Sequence, residues 1–137
     1  MKVTLDTMMW VSYCTLQDGY RHQLIERAHR QAVRIFVSDY ILDELTRTLV
    51  DGLNRSRRYA ILARCAVSRI AKHVTLPPVV RPFVPGDPND DPIVQTALSG
   101  KTDYLITADA EILKLVKVQD VEILTAAQFD EKLAPEQ

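Results

Sequence analysis

The stretch Lys2-Val3-Thr4-Leu5-Asp6-Thr7 contains a short β-branched, apolar run, Val3 to Leu5, which is followed at once by a carboxylate. Three further β-branched runs lie along the chain, at residues 33–37, 104–107 and 121–124. Longer segments with apolar residues at helical spacing separate these runs. Alternating strands and helices are typical of a mostly parallel sheet with helices on both faces. The sequence therefore predicts a three-layer α/β/α domain.

Apolar stripes and capping residues indicate where the helices lie. The stripes are Leu24, Ile25 and Ala28 in the first long segment, Ile41, Leu42, Leu45 and Leu49 in the second, and Ile61, Leu62, Cys65 and Ile70 in the third. Ser38 is a candidate N-cap after the second strand, and Thr125 with Gln128 is a candidate capping box after the last. The prolines between Leu76 and Pro88 exclude a helix there, so an extended surface crossover is expected.

The composition is that of an ordinary globular protein, with 137 residues, 47% hydrophobic and 26% charged. This length suits one domain, 1–137, that folds without a disulfide or a structural metal. Cys14 and Cys65 have no zinc-site spacing, and we expect two reduced, half-buried thiols. No apolar stretch approaches the roughly 18 residues of a membrane span, and Asp6 stands where a signal peptide is apolar. These features predict a cytoplasmic protein without a membrane partner.

The net charge of −1 conceals a strong asymmetry. Residues 51–81 carry seven basic residues and one acidic residue, whereas residues 82–137 carry four basic and eleven acidic residues. The basic residues are Arg55, Arg57, Arg58, Arg64, Arg69, Lys72 and Arg81, in a segment that has a helical pattern. Such a stretch attracts nucleic acid or an acidic protein partner, although an ordinary solvated helix face has the same pattern.

The acidic residues fall at particular places in the predicted fold. In open α/β sheets the functional cleft lies beyond the carboxyl ends of the strands. Asp6 follows the first strand directly, and Asp109 comes two residues after Thr107. Glu44 falls beside the Ile41/Leu45 stripe of the helix after the second strand. Asp90 and Asp91 precede the helix that leads to Tyr104, so all of these acids are expected at one end of the sheet.

Carboxylates that converge in one cleft repel one another unless a cation or protons neutralise them. An oxygen-rich cluster without His or Cys suits Mg²⁺ or Mn²⁺. Such an ion can promote phosphodiester hydrolysis without a protein nucleophile. The predicted catalytic and metal-binding residues are Asp6, Glu44, Asp91 and Asp109, with Asp90 as an alternative metal ligand.

Each acid also has a structural interpretation. Asp6 could be a turn residue that ends a strand, and Glu44 could be a solvated charge on a helix. Asp91 followed by Pro92 fits the N-cap and first residue of a helix. Asp109 could stabilise the start of the next helix. The residue pattern leaves these alternatives open, and the case for a metal site rests on the four acids together.

The order of the motifs resembles that of the PIN-domain ribonucleases, and in particular the VapC-type toxins of bacterial toxin–antitoxin pairs. The matching segments, which span nearly the whole chain, are residues 2–7, 37–45, 87–92 with Ala97-Leu98, 103–109 and 123–129. The resemblance implies an α/β/α PIN-like domain and cleavage of RNA with Mg²⁺ or Mn²⁺. It also implies frequent homodimers and inhibition by a small antitoxin that covers the acidic cleft.

One residue departs from the family pattern. The family usually continues Asp-Thr with Asn, whereas this chain has Met8. An Asn side chain donates and accepts hydrogen bonds, and a thioether does neither well. Loss of a residue that orients a metal ligand typically costs on the order of 10- to 100-fold in affinity or activity. The sequence therefore also allows a weak or silent catalytic site.

Three functions follow from these observations. The first is a metal-dependent endoribonuclease, the toxin of a toxin–antitoxin pair. The second is a catalytically silent PIN-like module that binds RNA or a protein partner. In either case the predicted RNA-binding residues are Arg55, Arg58, Arg69 and Lys72. The third is a metal-dependent phosphatase that acts on small molecules.

Overall fold

The computed structural model describes residues 1–135. The first half contains β1 (Lys2–Leu5), α1 (Thr7–Thr15), α2 (Tyr20–Arg30), β2 (Arg34–Val37), α3 (Asp39–Arg47), a π-helical turn (Thr48–Gly52), α4 (Arg57–Ile70) and β3 (Ala71–His73). The second half contains a 3₁₀ turn (Pro88–Asp90), α5 (Asp91–Ser99), β4 (Tyr104–Ile106), α6 (Ala110–Leu113), β5 (Lys117–Val118), β6 (Val121–Leu124) and α7 (Ala126–Lys132). The last two residues of the expected 1–137 domain lie outside the described residues, and the extent of the domain stays a prediction.

The six strands form one sheet in the order β3-β2-β1-β4-β6-β5. All neighbours pair in parallel except β5, which is antiparallel to β6. The predicted three-layer α/β/α architecture with a mostly parallel sheet is confirmed. Because the chain runs from β1 to β2 and β3 on one side and then to β4 on the other, the topology switches direction at β1. The carboxyl ends of β1 and β4 therefore flank the place where such sheets usually bind ligands.

Local capping explains where several helices begin. The Ser38 hydroxyl accepts a hydrogen bond from the Ile41 amide at 3.5 Å, so the predicted N-cap of α3 is confirmed. Thr125 and Gln128 form the predicted capping box of α7, with reciprocal bonds of 3.2 and 2.9 Å. Within the described residues, no helix is long and apolar enough to cross a membrane.

Two strands were not predicted. β3 begins at Ala71, immediately after α4 ends at Ile70, so no turn residue separates the two elements. Its residues, Ala-Lys-His, have little intrinsic preference for a strand, and the strand forms because it pairs with β2. β5 is only two residues long. Pairing partners that are distant in sequence, rather than local pattern, create these two strands.

The third apolar stripe lies in a helix, as its spacing predicts, but this helix buries mainly other residues. In α4 the buried residues are Ala60, Ala63 and Val67, whereas Ile61 and Leu62 are exposed by 60% and 59%. Small side chains on the inner face allow α4 to pack against α1 and α3. Cys14 and Cys65 are both free; Cys14 is half-buried as predicted, and Cys65 is exposed.

The segment between β3 and α5 contains no helix or strand from residue 74 to residue 87, as the prolines predict. It is not entirely on the surface, because the Val84 side chain is buried. Helix α5 begins one residue earlier than the sequence suggests: its N-cap position is Asp90, and Asp91 is the first helical residue. This shift changes which of the two neighbouring aspartates faces the cleft.

Candidate active site

Asp6 lies at the junction of β1 and α1, at the carboxyl end of a central strand. Its Oδ1 accepts a hydrogen bond from the Met9 amide at 2.9 Å, which caps α1, and its Oδ2 accepts one from the Thr107 hydroxyl. The residue is only 5% exposed. Burial raises the pKa of the Asp6 carboxyl, although the bonds from Thr107 and Met9 oppose this effect. The fold therefore orients this carboxylate firmly while withholding water from it.

Thr107 connects the ends of two adjacent strands. Its hydroxyl donates to Asp6 and accepts a hydrogen bond from the Asp109 amide at 3.0 Å. The Asp109 Oδ1 in turn accepts from the amides of Glu111 at 2.8 Å and Ile112 at 3.1 Å, which caps α6. Thr107 is fully buried and was not predicted as a site residue. Its place directly after β4, two residues before Asp109, is the only sequence signal for this role.

Glu44 reaches the same region from α3. Its Oε1 accepts a hydrogen bond from the Thr7 hydroxyl at 2.7 Å. Thr7 is itself buried and follows Asp6 directly, so the Asp-Thr pair after β1 supplies one acid and positions a second, which lies 37 residues after Thr7. Glu44 is only half-buried. The contact with Thr7 distinguishes Glu44 from an ordinary solvated helix charge.

Three carboxylates come still closer together at the start of α5. Asp87, Asp90 and Asp109 each place an oxygen within 4.8 Å of the others. The Asp90 Oδ2 is buried and, among the described residues, has no hydrogen-bond donor. Burial, followed by the negative charge of Asp109, raises the pKa of Asp90 to about 7. Asp87 directly precedes the 3₁₀ turn that ends at Asp90. It is not among the predicted site residues, although it lies in the segment 87–92 that resembles the family motif.

Asp91 has a different position from the one predicted. The structure buries it to 7% exposure, and its Oδ1 accepts hydrogen bonds from the amides of Phe83 and Val84, both at 2.8 Å. These bonds attach the proline-rich crossover to the first turn of α5. Asp91 does not line the cleft, whereas Asp90 does. Because α5 begins at Asp91 and not at Pro92, Asp90 takes the place in the cleft that the sequence suggested for Asp91.

The acids surround a cavity of about 400 Å³ beyond the ends of β1 and β4. Of the predicted site residues, Asp6, Glu44, Asp90 and Asp109 line it. Its remaining wall includes the apolar residues Met8, Ile93, Ala108 and Ile112 and the cation Arg21. Met8 is 51% exposed, so its side chain lies at the mouth of the cavity. The cleft is thus a strongly acidic pocket with one apolar side.

The chain matches the profile of a known protein family. The PIN domain family profile matches residues 2–111, which is most of the chain. The chain belongs to the PIN domain family. This finding confirms the family resemblance that the sequence motifs indicated.

The PIN domain fold is also recognisable in a solved structure. A chain in the crystal structure of VapBC2 from Rickettsia felis, bound to a DNA fragment from their promoter, superposes with a TM-score of 0.64. The alignment covers 91% of this chain and 98% of that one, with 13% sequence identity. At this identity the match shows the fold alone. The search of curated proteins found no match.

The donor set of this PIN domain fits a hard divalent cation. Every candidate ligand is a carboxylate oxygen, and no His or Cys within residues 1–135 lines the cavity. A buried Asp90 oxygen without a donor beside two further carboxylates is unfavourable unless a cation or a proton accompanies it. Mg²⁺ and Mn²⁺ prefer such oxygen ligands. Among the described residues, those best placed to hold an ion are Asp87, Asp90 and Asp109.

The predicted RNA-binding residues of the PIN domain lie outside this cavity. Arg55, Arg58, Arg69 and Lys72 are all exposed, and none lines the cleft. Arg55 stacks over the Tyr59 ring at 5.0 Å. The segment is not one helix: Arg55 precedes α4 and Lys72 lies in β3. Their binding of RNA stays a prediction.

Proposed function

We propose that this PIN domain protein is a metal-dependent endoribonuclease that hydrolyses RNA phosphodiester bonds with Mg²⁺ or Mn²⁺. The convergence of Asp6, Glu44, Asp90 and Asp109 in one cavity at the topological switch of the sheet carries this proposal. Membership of the PIN family supports it, because the family is generally one of metal-dependent nucleases.

Each acidic residue has a proposed role that follows from its contacts. Asp90 and Asp109, with Asp87 beside them, would hold the ion. A divalent cation bound there would polarise the phosphoryl oxygen, lower the pKa of a bound water and stabilise the leaving oxygen. Asp6, fixed by Thr107 and Met9, completes the negative wall of the cleft. Glu44, held by Thr7, orients the attacking water.

We further propose that the chain is the toxin of a toxin–antitoxin pair in the cytoplasm. The motif order resembles the VapC-type toxins, and the fold matches a chain of a VapBC2 complex. The expected partner is a small antitoxin protein that covers the acidic cleft; the resemblance also implies a homodimer, which is frequent in the family. Co-expression with a small DNA-binding protein encoded beside the gene, followed by purification, would test this partnership.

The nuclease proposal is tested by incubating a mixed-sequence RNA with the purified chain in Mn²⁺ or in EDTA. We expect cleavage in Mn²⁺ alone, and loss of cleavage in Asp6→Asn and in Asp90→Asn. Circular dichroism would establish that both variants are folded. Cleavage that persists in folded Asp6→Asn would refute the site, and hydrolysis of phosphomonoesters instead of RNA would favour a phosphatase.

Asp91→Asn is the matched control for Asp90→Asn, because both variants replace a neighbouring carboxylate by an amide. In the Asp91→Asn variant, the amide oxygen of the new side chain could still accept the two backbone bonds from Phe83 and Val84. We therefore expect Asp91→Asn to cleave like the wild type. Loss of activity in Asp91→Asn, with activity retained in Asp90→Asn, would return the metal ligand to the position that the sequence suggested.

A catalytically silent PIN module that binds RNA or a protein partner is the second candidate. Its support is Met8, which lies at the mouth of the cavity where the family usually has Asn. In this case the wild type does not cleave RNA, and Met8→Asn gains metal-dependent cleavage. Metal-dependent cleavage by the wild type at the level of Met8→Asn would remove this candidate.

A further inference from the structure

The cavity contains one feature that the proposed metal site does not use. Arg21, the second residue of α2, lines the cavity together with the four acids. Among the described residues that line it, Arg21 is the only Lys or Arg. This cation therefore lies in the wall of the same cavity as the acids.

The Arg21 guanidinium is held by a neutral partner. Its Nη1 donates to the Ser12 hydroxyl at 3.2 Å, and the side chain is half-buried. Within residues 1–135, Arg21 forms no ion pair with a carboxylate. A guanidinium has five N–H donors in a planar fork. Most of these donors are therefore available to an incoming ligand.

A positive charge in the cleft would lower the electrostatic cost of binding RNA there. Four carboxylates line the cavity and would repel the phosphates of RNA. One divalent ion offsets two of these charges, and Arg21 offsets a third. Arg21 already acts on the cleft, since its charge is one of the influences that lower the pKa of Asp6 against the larger effect of burial.

Arg21 also borders a second cavity. This cavity, about 370 Å³ in volume, is lined by Ser12, Leu16, Gly19, Tyr20 and His22 in addition to Arg21. Arg21 thus stands between the metal site and a neighbouring hollow on the surface. A strand whose scissile phosphate lies at the carboxylates continues on both sides of them, and Arg21 is the only Lys or Arg among the described residues that line the acidic cavity.

We propose that Arg21 binds the RNA backbone phosphate adjacent to the scissile one and so fixes the strand in the cleft. This inference rests on the proposed nuclease function, which it deepens by assigning a phosphate-binding residue. The planar fork of arginine matches two phosphate oxygens at once. Because the adjacent phosphate does not change during cleavage, Arg21 contributes to RNA binding and not to the chemical step.

Salt-dependent binding provides the first test. The affinity of a short labelled single-stranded RNA of mixed sequence is measured by fluorescence anisotropy in Ca²⁺, which slows hydrolysis, over a range of salt concentrations. Each phosphate contact contributes about 0.7 to the slope of log K against log salt for a single strand. We expect Arg21→Ala to reduce that slope by about 0.7 and to weaken binding about tenfold or more. Arg21→Lys should keep the slope.

Arg34→Ala is the matched control. Arg34 is an exposed residue at the amino end of β2, whereas the cleft lies at the carboxyl ends of the strands. Its replacement by Ala removes the same charge. We expect it to leave the slope unchanged. An unchanged slope in Arg21→Ala, or an equal reduction in both variants, would overturn the proposal.

Kinetics provide the second test. At saturating Mn²⁺ we expect Arg21→Ala to raise KM with kcat and Mn²⁺ affinity retained. A fall in kcat at constant KM, or a defect that excess Mn²⁺ removes, would overturn the assignment to the adjacent phosphate. If the wild type binds RNA through Arg21 but does not cleave it, the nuclease proposal fails and the assignment to the phosphate adjacent to the scissile one fails with it; only the binding of an RNA phosphate by Arg21 stands.

Discussion

Two regions of this molecule treat carboxylates in opposite ways. In the cleft, Asp90 lies near other acids and forms no ion pair within residues 1–135, and burial with their charge raises its pKa to about 7. At the contact between α2 and α7, Asp130 forms an ion pair with Arg27 and accepts a bond from the Tyr20 hydroxyl at 2.8 Å. The bond from Arg27, followed by that from Tyr20, lowers the pKa of Asp130.

This comparison distinguishes two kinds of acid: those whose charge stabilises the fold, and those whose charge does not. Asp130 is satisfied by the chain alone, so the fold gains from its charge. The cleft acids are oriented by Thr7, Thr107 and backbone amides, but none of the four forms an ion pair within residues 1–135. Groups held in an unfavourable electrostatic state cluster at functional sites. Carboxyl-to-amide changes should therefore impair function without destabilising the fold in the first region, and should destabilise the fold without impairing function in the second.

The largest effect on activity outside the acids is expected for Thr107→Val. This change removes the hydroxyl that joins Asp6 to the Asp109 amide. Loss of such an orienting bond typically costs on the order of 10- to 100-fold in metal affinity or activity. Mn²⁺-dependent RNA cleavage measures it. Thr4→Val is the control, because Thr4 is equally buried but bonds to Thr102, away from the acids; equal losses in both variants would contradict a specific role for Thr107.

Binding of the ion should stabilise the protein, because it relieves the repulsion in the cleft. At a Mn²⁺ concentration about 100 times its Kd, the free energy of unfolding should rise by about 2.7 kcal/mol. We expect this gain to disappear in Asp90→Asn and to persist in Asp130→Asn. Thermal unfolding with Mn²⁺ and with EDTA measures it. A gain that survives in Asp90→Asn would place the ion elsewhere.

The sequence predicts the fold class and the general location of the site because both depend on local patterns. β-branched runs locate β1, β2, β4 and β6, and an acid after a strand lies at the carboxyl edge of a parallel sheet. The placement of Asp6 and Asp109 follows from this rule alone. Pairing with β2, by contrast, creates β3 from residues that have no strand pattern of their own.

The finer composition of the site depends on contacts that no local pattern encodes. Asp90, and not Asp91, lines the cleft. Helix α5 begins one residue earlier than the sequence suggests, and the Asp91 carboxylate accepts hydrogen bonds from the amides of Phe83 and Val84. Arg21 reaches the cleft from a helix whose pattern indicates only a buried stripe. The exposed Ile61 shows the same limit: helical spacing identifies α4, but packing decides which face is buried.

Asp6→Asn should lose activity but should have a smaller effect on stability, and this effect should be a gain. The amide can keep the bond from Met9 and remain next to Thr107, while the cost of burying a charge is removed. The free energy of unfolding at neutral pH without metal should rise by about 0.5 to 2 kcal/mol, as for other changes that relieve a strained functional site. Urea denaturation measures it. A destabilised Asp6→Asn would show that the carboxylate supports the fold.

The smallest effect is expected for Asp130→Asn, with a characteristic pH dependence. Because the pKa of Asp130 is lower in the folded state, its ion pair contributes stability above the ordinary carboxyl value of 3.8, and this contribution is lost as the pH falls through the lowered folded value. The pair is partly exposed, so its loss should cost about 1 kcal/mol or less at neutral pH. Urea denaturation at about pH 7 and about pH 3 measures the difference between wild type and variant, which should shrink at the lower pH. Cleavage by Asp130→Asn should equal that of the wild type, because this acid, unlike those of the cleft, already has its cation within the chain. A difference in unfolding free energy that is the same at both pH values would mean that Asp130 acts through packing and not through its charge.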